Sequence, residues 1–447
     1  MIQYKCTNKI ERRYLYATQN YITDLLELKD NNIIFKEKCY YKENIKGVTY
    51  KIFEGYLSYE PEFCTKCGVV FDDNLEKHGF IISNIKIPRV SEFKTILRLH
   101  KQRYLCKHCN KAFTLSTSIV NYGCYISNNT KNKIAVDLIK KRSEKDIAED
   151  NDVSSNSVER VMDSYYDTIK LYKNYLPEVL LFDEFKSVKT ADGAMSFHMC
   201  DGITGQTIDI VEDRRLDNLI RYFFYYNYKA RSRVKYIVID MYSPYVSLIK
   251  KMFPNAQIVI DKFHLTQLIS RAFNKTRIMI MKKNKQHYRK LKRYWKLLLK
   301  YREDLDNSVW KRFTCFEHLM TTIDVVDYII NIDEELKQTY LIYQDILHSL
   351  KTRNYKFLKS VLSNPNNNIS SYMKTAVKTL SEFLPYIKNT FTTNYHNGYI
   401  EGNNNLIKVI KRIAFGFRSF RRFKARIMIC KGLIKIKKSQ CITALTT

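Results

Sequence analysis

Three apolar runs in this chain each end in an aspartate. Val179-Leu180-Leu181-Phe182 precedes Asp183, Tyr236-Ile237-Val238-Ile239 precedes Asp240, and Ile258-Val259-Ile260 precedes Asp261. Runs of this length and composition read as strands buried on both faces, the kind found in sheets covered by helices. Between the first two runs, Met195 to Met199 and Thr207 to Val211 are further strand candidates, and Gly202 and Gly205 mark a hairpin turn. Leu216 to about Tyr228 reads as a helix. The resulting order is β-β-β-α-β-α-β, an α/β fold. Open α/β sheets place their active sites at the carboxyl ends of strands. One strand-end Asp is commonplace and often only caps the next helix. Two on adjacent strands, joined by a Glu from a later helix, would form an oxygen cage for Mg²⁺ or Mn²⁺.

Glu401 is the natural third member. It is the only acidic residue between Phe383 and Thr447, a stretch that holds 13 Lys and Arg. The basic residues Lys408, Lys411, Arg412, Arg418, Arg421 and Arg422 follow it closely. Such a surface attracts phosphate backbones. A lone carboxylate within it makes sense if it holds a divalent cation, which offsets its repulsion from phosphate. At helical spacing Ile400, Ile407, Ile410 and Ala414 share one face, while Glu401, Asn405, Lys408 and Arg412 share another. Gly402 and the three asparagines after it are poor helix formers and suggest close backbone approach or polar recognition. The plain alternative is a surface Glu on a basic helix.

The formal net charge of +31 makes nucleic acid the leading partner and says nothing about fold. An anionic membrane surface is the alternative, but no lipidation motif, signal-peptide core or membrane-length apolar run supports it. The expected location is the cytoplasm, on the nucleoid when DNA-bound. There, eleven cysteines argue for metal ligation at some of them and against disulfides. Cys64-Thr65-Lys66-Cys67 and Cys106-Lys107-His108-Cys109 lie 38 residues apart. Each pair can form one knuckle of a tetrahedral Zn²⁺ site, and the stretch from Ile81 to Leu105 can supply hairpin strands. A closed four-cysteine site is structural, and His100 or His108 could replace one ligand.

A helix-turn-helix follows by pattern. Lys133 to Arg142 is one helix, Ser143 to Glu149 a second, Asp150-Asn151-Asp152 a turn, and Ser154 the N-cap of a third. Ser155, Asn156 and Arg160 would then face DNA. The acids Glu144, Asp146, Glu149, Asp150 and Asp152 favour the alternative, a plain helical spacer. Residues 262–302 carry no acid and many Lys and Arg. Their apolar stripe of Tyr288, Leu291, Trp295, Leu298 and Leu299 reads as core, with Trp295 stacking on a base as the sharper reading.

Together these residues resemble the DDE transposases of bacterial insertion sequences, the ISL-three family above all. The text that carries the likeness is Phe182-Asp183-Glu184, Ile239-Asp240-Met241, Phe253-Pro254-Asn255-Ala256, Asp261-Lys262-Phe263-His264, and Asn397-Gly398-Tyr399-Ile400-Glu401-Gly402 running on to Phe415-Gly416-Phe417-Arg418. The resemblance implies a ribonuclease H-like catalytic domain interrupted by an α-helical insertion and preceded by a zinc-binding domain and a helix-turn-helix. Its implied boundaries are 1–60 for a region of unclear role, 61–125 for zinc, 126–175 for the helix-turn-helix, 176–264 with 392–430 for catalysis, 265–391 for the insertion and 431–447 for a basic tail. It implies a catalytic, Mg²⁺-binding triad of Asp183, Asp240 and Glu401, with Asp261 and His264 in support. A helix cap plus a core histidine is the alternative for that last pair. The implied activity is cleavage and strand transfer at terminal inverted repeats and target DNA, by a dimer or larger assembly. The rivals are a DNA-binding regulator and a nuclease that cuts without joining.

Overall fold

The computed structural model describes residues 21–70, 73–167 and 173–432. The chain forms two compact units. One runs to Lys170 and resumes at Val409, and the other is Leu171–Lys408.

The first unit begins with a five-stranded sheet of β1 (Ile33–Ile45), β2 (Val48–Leu57), β3 (Leu75–Val90), β4 (Phe93–Cys106) and β5 (Lys111–Thr114). The order is β1-β2-β4-β3, with β5 also paired to β4. The β1–β2 and β3–β4 hairpins close through Lys46-Gly47 and Ser91-Glu92, all four at positive φ. Turns of that kind match the right-handed twist of the strands. The β3–β4 hairpin expected between the cysteine pairs is present. Residues 33–57, which had no assigned role, are strands of the same sheet, and Ile33, Phe35, Phe53 and Leu57 share its core with Leu97 and Leu99.

Three helices follow: α1 (Asn128–Ile139), α2 (Glu144–Asp150) and α3 (Ser155–Tyr166). Ser127, Ser143 and Ser154 cap them in turn, each accepting the N–H three residues on. Ile134, Leu138, Ile147, Val158 and Met162 form their core. The helix Phe420–Cys430 completes that core with Ala425, Met428 and Ile429. The sequence-based boundaries placed 420–430 in the catalytic domain. Its apolar face packs on α1–α3, and its buried Arg426 donates to the carbonyls of Lys140 and Arg142, just past the end of α1.

Two of the acids that weakened the helix-turn-helix reading, Asp150 and Asp152, have structural partners. Asp152 is bound by Lys86 and Lys94 of the sheet at 3.0 and 2.9 Å. Asp150 pairs with Arg142.

The second unit is built on β6 (Val179–Lys186), β7 (Met195–Asp201), β8 (Thr207–Val211), β9 (Tyr236–Ile239) and β10 (Gln257–Ile260), in the order β10-β9-β6-β7-β8. β6, β7 and β8 run antiparallel, while β9 and β10 run parallel to β6. The helix expected from Leu216 is two helices, α4 (Leu216–Phe224) and α5 (Tyr228–Arg233), broken where Asn227 caps the second. α6 (Ser243–Met252) joins β9 to β10, and α7 (Lys262–Lys283) leaves β10. Further helices at Thr322–Ile330, Glu334–Thr352, Tyr355–Ser363 and Ser371–Thr392 pack with α7 into one core that also takes one face of the sheet. Leu291 and Leu298 lie in this core, as the apolar stripe implied, and Trp295 is 38% exposed. The free edge of β10 is sealed by the end of the 371–392 helix. There the Asn389 amide donates to Ile258 O at 2.8 Å and the Thr390 hydroxyl to Ile260 O at 2.6 Å. Capping the edge in this way removes a template for strand pairing and delivers the chain to the helix Gly398–Ile413, which carries Glu401.

Candidate active site and zinc centre

Strand register sets the carboxylates level. Leu181 pairs with Val238, so Asp183 and Asp240 both lie two residues further along parallel strands. Ile239 pairs with Ile260, so Asp240 and Asp261 are again level. Alternation along a strand then places each Asp on the same face as Leu181, Val238 and Val259. That face is covered by Ile400 of the Glu401 helix, fully buried among those three residues and Cys200. The three aspartates therefore end level on one face, and the start of the helix brings Glu401 beside Asp261.

His264 stands at the centre. Its Nε2 is 2.9 Å from Asp240 Oδ1, 3.9 Å from Asp261 Oδ2 and 4.0 Å from Glu401 Oε1. Asp261, His264 and Glu401 can offer three ligand atoms within 4.8 Å of one another. His264 Nε2 and Asp240 Oδ1 face each other as a buried ion pair, while buried Asp261 Oδ2 makes no hydrogen bond. Buried polar atoms are normally paired, so this convergence suits a cation. Asp261 occupies the N-cap position of α7, but its side chain makes no cap bond. It accepts the Asn397 N–H at 3.1 Å instead. The cap-plus-core-histidine alternative therefore does not describe this pair.

Asp183 is held from two sides, by the Glu184 N–H at 2.7 Å and the Asn404 amide at 2.7 Å. Burial first, and the neighbouring Asp240 charge second, push its carboxyl up to about 7. Burial lowers the His264 pKa, but its contact with Asp240 and the other carboxylates outweighs this and raises it. Glu184, one residue along β6, points to the opposite face, where it pairs with Arg214 and accepts from the Tyr245 hydroxyl at 3.0 Å. Sequence reasoning missed Asn403, Asn404 and His198. The run of asparagines after Glu401 was the available signal, read as close backbone approach or polar recognition. Asn403 and Asn404 turn inward and are buried, while Asn405 is exposed.

The cysteines converge as expected. Cys64 Sγ lies 3.9 Å from Cys109 Sγ, and Cys67 Sγ lies 3.7 Å from Cys106 Sγ. A tetrahedron with Zn–S bonds of about 2.3 Å has edges of about 3.8 Å. Gly68, at φ +75°, closes the first knuckle by donating its N–H to Cys64 O at 2.8 Å. His100 binds Glu54 and stays outside the cluster.

The family model described as Transposase, the DDE group named ISL3, matches residues 180–427. The chain belongs to the ISL3 transposase family. A second model, described as the zinc-finger of transposase IS204/IS1001/IS1096/IS1165, matches residues 60–109 and spans both cysteine pairs, so the four cysteines form a structural zinc site. The chain is 26% identical over 202 residues to "Transposase for insertion sequence element IS1001" of Bordetella parapertussis, covering 44% of this chain and 48% of that protein. It is 42% identical over 113 residues to a Lactococcus lactis subsp. lactis protein named "ATP-dependent protease", covering 25% and 36%. The chain thus spans about a third to a half of the curated relatives it matches. A solved structure, "Drosophila P element transposase strand transfer complex", aligns over 71% of this chain and 94% of that one, with a TM-score of 0.35 and 10% identity.

In this ISL3-family chain the residues expected to meet DNA have varied settings. Ser155, Asn156 and Arg160 are exposed on α3, and Lys408, Arg412 and Arg418 are exposed further on. Lys411 is half-buried. Arg422 pairs with Glu159 at 2.6 Å and Asp163 at 3.5 Å, and Arg421 pairs with Asp167 at 2.5 Å. These two guanidiniums neutralise the acids of α3. No helix among the described residues is long and apolar enough to cross a membrane.

Proposed function

We propose that this chain is a DNA transposase that cuts and joins DNA with Asp183, Asp240 and Glu401 as a divalent-metal triad. The observation that carries this reading is the level register of the strand-end aspartates, with Glu401 brought beside Asp261 and His264 and the buried Asp261 Oδ2 left without a hydrogen bond. The sheet with two parallel strands added to an antiparallel trio is read as ribonuclease H-like, and the helices between α7 and Thr392 as an insertion within it. The hard oxygen donors fit Mg²⁺ or Mn²⁺. Such ions, when bound, stabilise attacking and leaving oxygens in an in-line phosphoryl displacement.

The chain's own residues do the rest. Asp183, Asp240 and Glu401 would hold the ions. Asp261 supports the turn that begins the Glu401 helix, through the Asn397 N–H. His264 lies within reach of the carboxylates and is suited to orient them or to donate toward a phosphate oxygen. The first nucleophile is water, which loses its proton and attacks phosphorus while a 3′-hydroxyl leaves. In the joining step that hydroxyl attacks target DNA and a second 3′-oxygen leaves. No covalent enzyme intermediate is needed. The zinc sheet and the helix-turn-helix would bind the terminal inverted repeats through Ser155, Asn156 and Arg160. Lys408, Lys411, Arg412 and Arg418 would track the backbone. Two DNA ends call for two active sites, hence a dimer or larger assembly.

The test is to incubate the zinc-loaded chain and Mg²⁺ with a plasmid carrying its gene and native flanks, then map 3′ ends beside Glu401→Gln. Cuts at inverted repeats, lost in the variant, support the proposal. Cuts that are never joined to target leave a nuclease. Specific binding to the flanks without any cut, unchanged by the substitution, leaves a regulator.

A further inference from the structure

The Glu401 helix does more than deliver a carboxylate. Asp183 on β6 is the direct cross-strand partner of His198 on β7. Asn404, one turn beyond Glu401, spans the two. Its Nδ2 donates to Asp183 Oδ2 at 2.7 Å, and its Oδ1 is 2.7 Å from His198 Nδ1. On the far side, His198 Nε2 is 3.0 Å from the Thr207 hydroxyl of β8. His198 is fully buried, with Thr207 2% and Asn404 5% exposed. Asn403 ties the same turn of helix to the sheet by donating to Gly205 O at 3.0 Å and to Cys200 Sγ at 3.2 Å.

The polarity of this chain of bonds follows from chemistry. A carboxylate that binds a cation only accepts, so Asn404 must present its NH₂ to Asp183 and its oxygen to His198. His198 must then carry its proton on Nδ1, and Nε2 must accept from the Thr207 hydroxyl. Cys200 Sγ also lies 3.3 Å from Nε2, beside the Thr207 hydroxyl. Low dielectric makes such a satisfied network rigid, and a broken one costly.

We propose that Asn404, backed by His198 and Thr207, is a positioning residue. It fixes the Asp183 carboxylate in its metal-holding orientation and locks that orientation to the rotation of the helix bearing Glu401. Asn404 touches neither the nucleic acid nor the reacting atoms. It sets the distance between two ligands that come from segments more than two hundred residues apart, on β6 and on the late helix. Supporting groups around a ligand typically change metal affinity by roughly ten- to a hundred-fold when removed. The inference rests on the triad reading above.

The experiment uses the full zinc-loaded chain and Mn²⁺ as probe. Mn²⁺ binding is measured by calorimetry, and Mg²⁺ half-saturation is measured in the plasmid-cleavage assay. Asn404→Ala is expected to weaken Mn²⁺ binding about ten-fold or more and to raise the Mg²⁺ half-saturation in parallel. Cleavage at saturating Mn²⁺ should recover toward that of the unsubstituted protein, and zinc content and flank binding should be unchanged. A cleavage loss at all metal concentrations, with Mn²⁺ affinity unmoved, overturns the proposal and leaves Asn404 a packing residue. If Asn404→Ala does not fold, the isosteric Thr207→Val decides. It should weaken Mn²⁺ binding in the same direction by a few-fold, and an unchanged affinity overturns the proposal. Glu401→Gln separates the two levels of argument. If that variant binds Mn²⁺ and cleaves like the unsubstituted chain, the triad reading has failed, whatever Asn404 does.

Discussion

Replacing Asp183 by Asn should stabilise the metal-free protein while abolishing its activity. Burial and the Asp240 charge lift the Asp183 carboxyl from 3.8 to about 7. That difference corresponds to roughly 4 kcal/mol against the folded state at pH values above the folded pKa, taken as an upper bound. The sign follows from a folded pKa that is raised. The penalty is complete above about 7, shrinks as pH falls, and is gone near the unfolded value of 3.8. Asparagine removes the charge, but it can accept at only one atom. Either the Glu184 N–H or the Asn404 amide then loses its acceptor, at a cost of about 1–3 kcal/mol. The net gain is of order 2 kcal/mol, or about 4–8 °C for a unit of this size.

The assay is thermal unfolding of both proteins in a chelator too weak to strip the zinc, at about pH 8 and about pH 5, then with saturating Mg²⁺. The variant should melt higher at the alkaline pH, and its advantage should shrink by about half or more at the acid one. Mg²⁺ should raise the melting point of the unsubstituted protein alone. A metal-free variant that melts at or below the unsubstituted protein at about pH 8 would show that Asp183 carries no such frustration. The reasoning about the cage would then be refuted.

Three further outcomes are expected. Arg160→Ala should lower the slope of log affinity against log salt by about 0.9 for flank DNA while leaving the melting point nearly unchanged. An unaltered slope would remove Arg160 from the DNA face. Cys106→Ala should abolish stoichiometric zinc in elemental analysis and lower the first unfolding transition, because metal-binding energy is folding energy at such sites. Full zinc retention would contradict the four-cysteine site. Arg426→Met leaves the carbonyls of Lys140 and Arg142 without their donor. It should cost about 2–4 kcal/mol in denaturant unfolding and weaken flank binding with it.

What was legible in the sequence was local. The three Asp-terminated runs, the cysteine knuckles and the Ser154 cap each declare themselves within a dozen residues, through periodicity, spacing or capping. What was hidden depends on partners far away in the chain. Arg421 and Arg422 read as phosphate contacts because nothing near them is acidic, yet their acids are Glu159, Asp163 and Asp167 on α3. Asn404 could not be given its partner because its acceptor, Asp183, lies on β6. Residues 33–57 had an ambiguous pattern because the β1–β2 hairpin joins the sheet through a parallel pairing of β2 with β4, some forty residues further on. A side chain's role in such cases is set by register between distant segments, which composition does not encode.

The return of the chain to its first unit bears on how the protein is made. The core of the helix-turn-helix lacks Ala425, Met428 and Ile429 until translation passes those codons, and the carboxylate cluster lacks Glu401 until shortly before. A chain cut short before Glu401 therefore lacks both the last helix of the α1–α3 core and the last member of the carboxylate cluster. Both units are thus completed within the same thirty or so residues of synthesis.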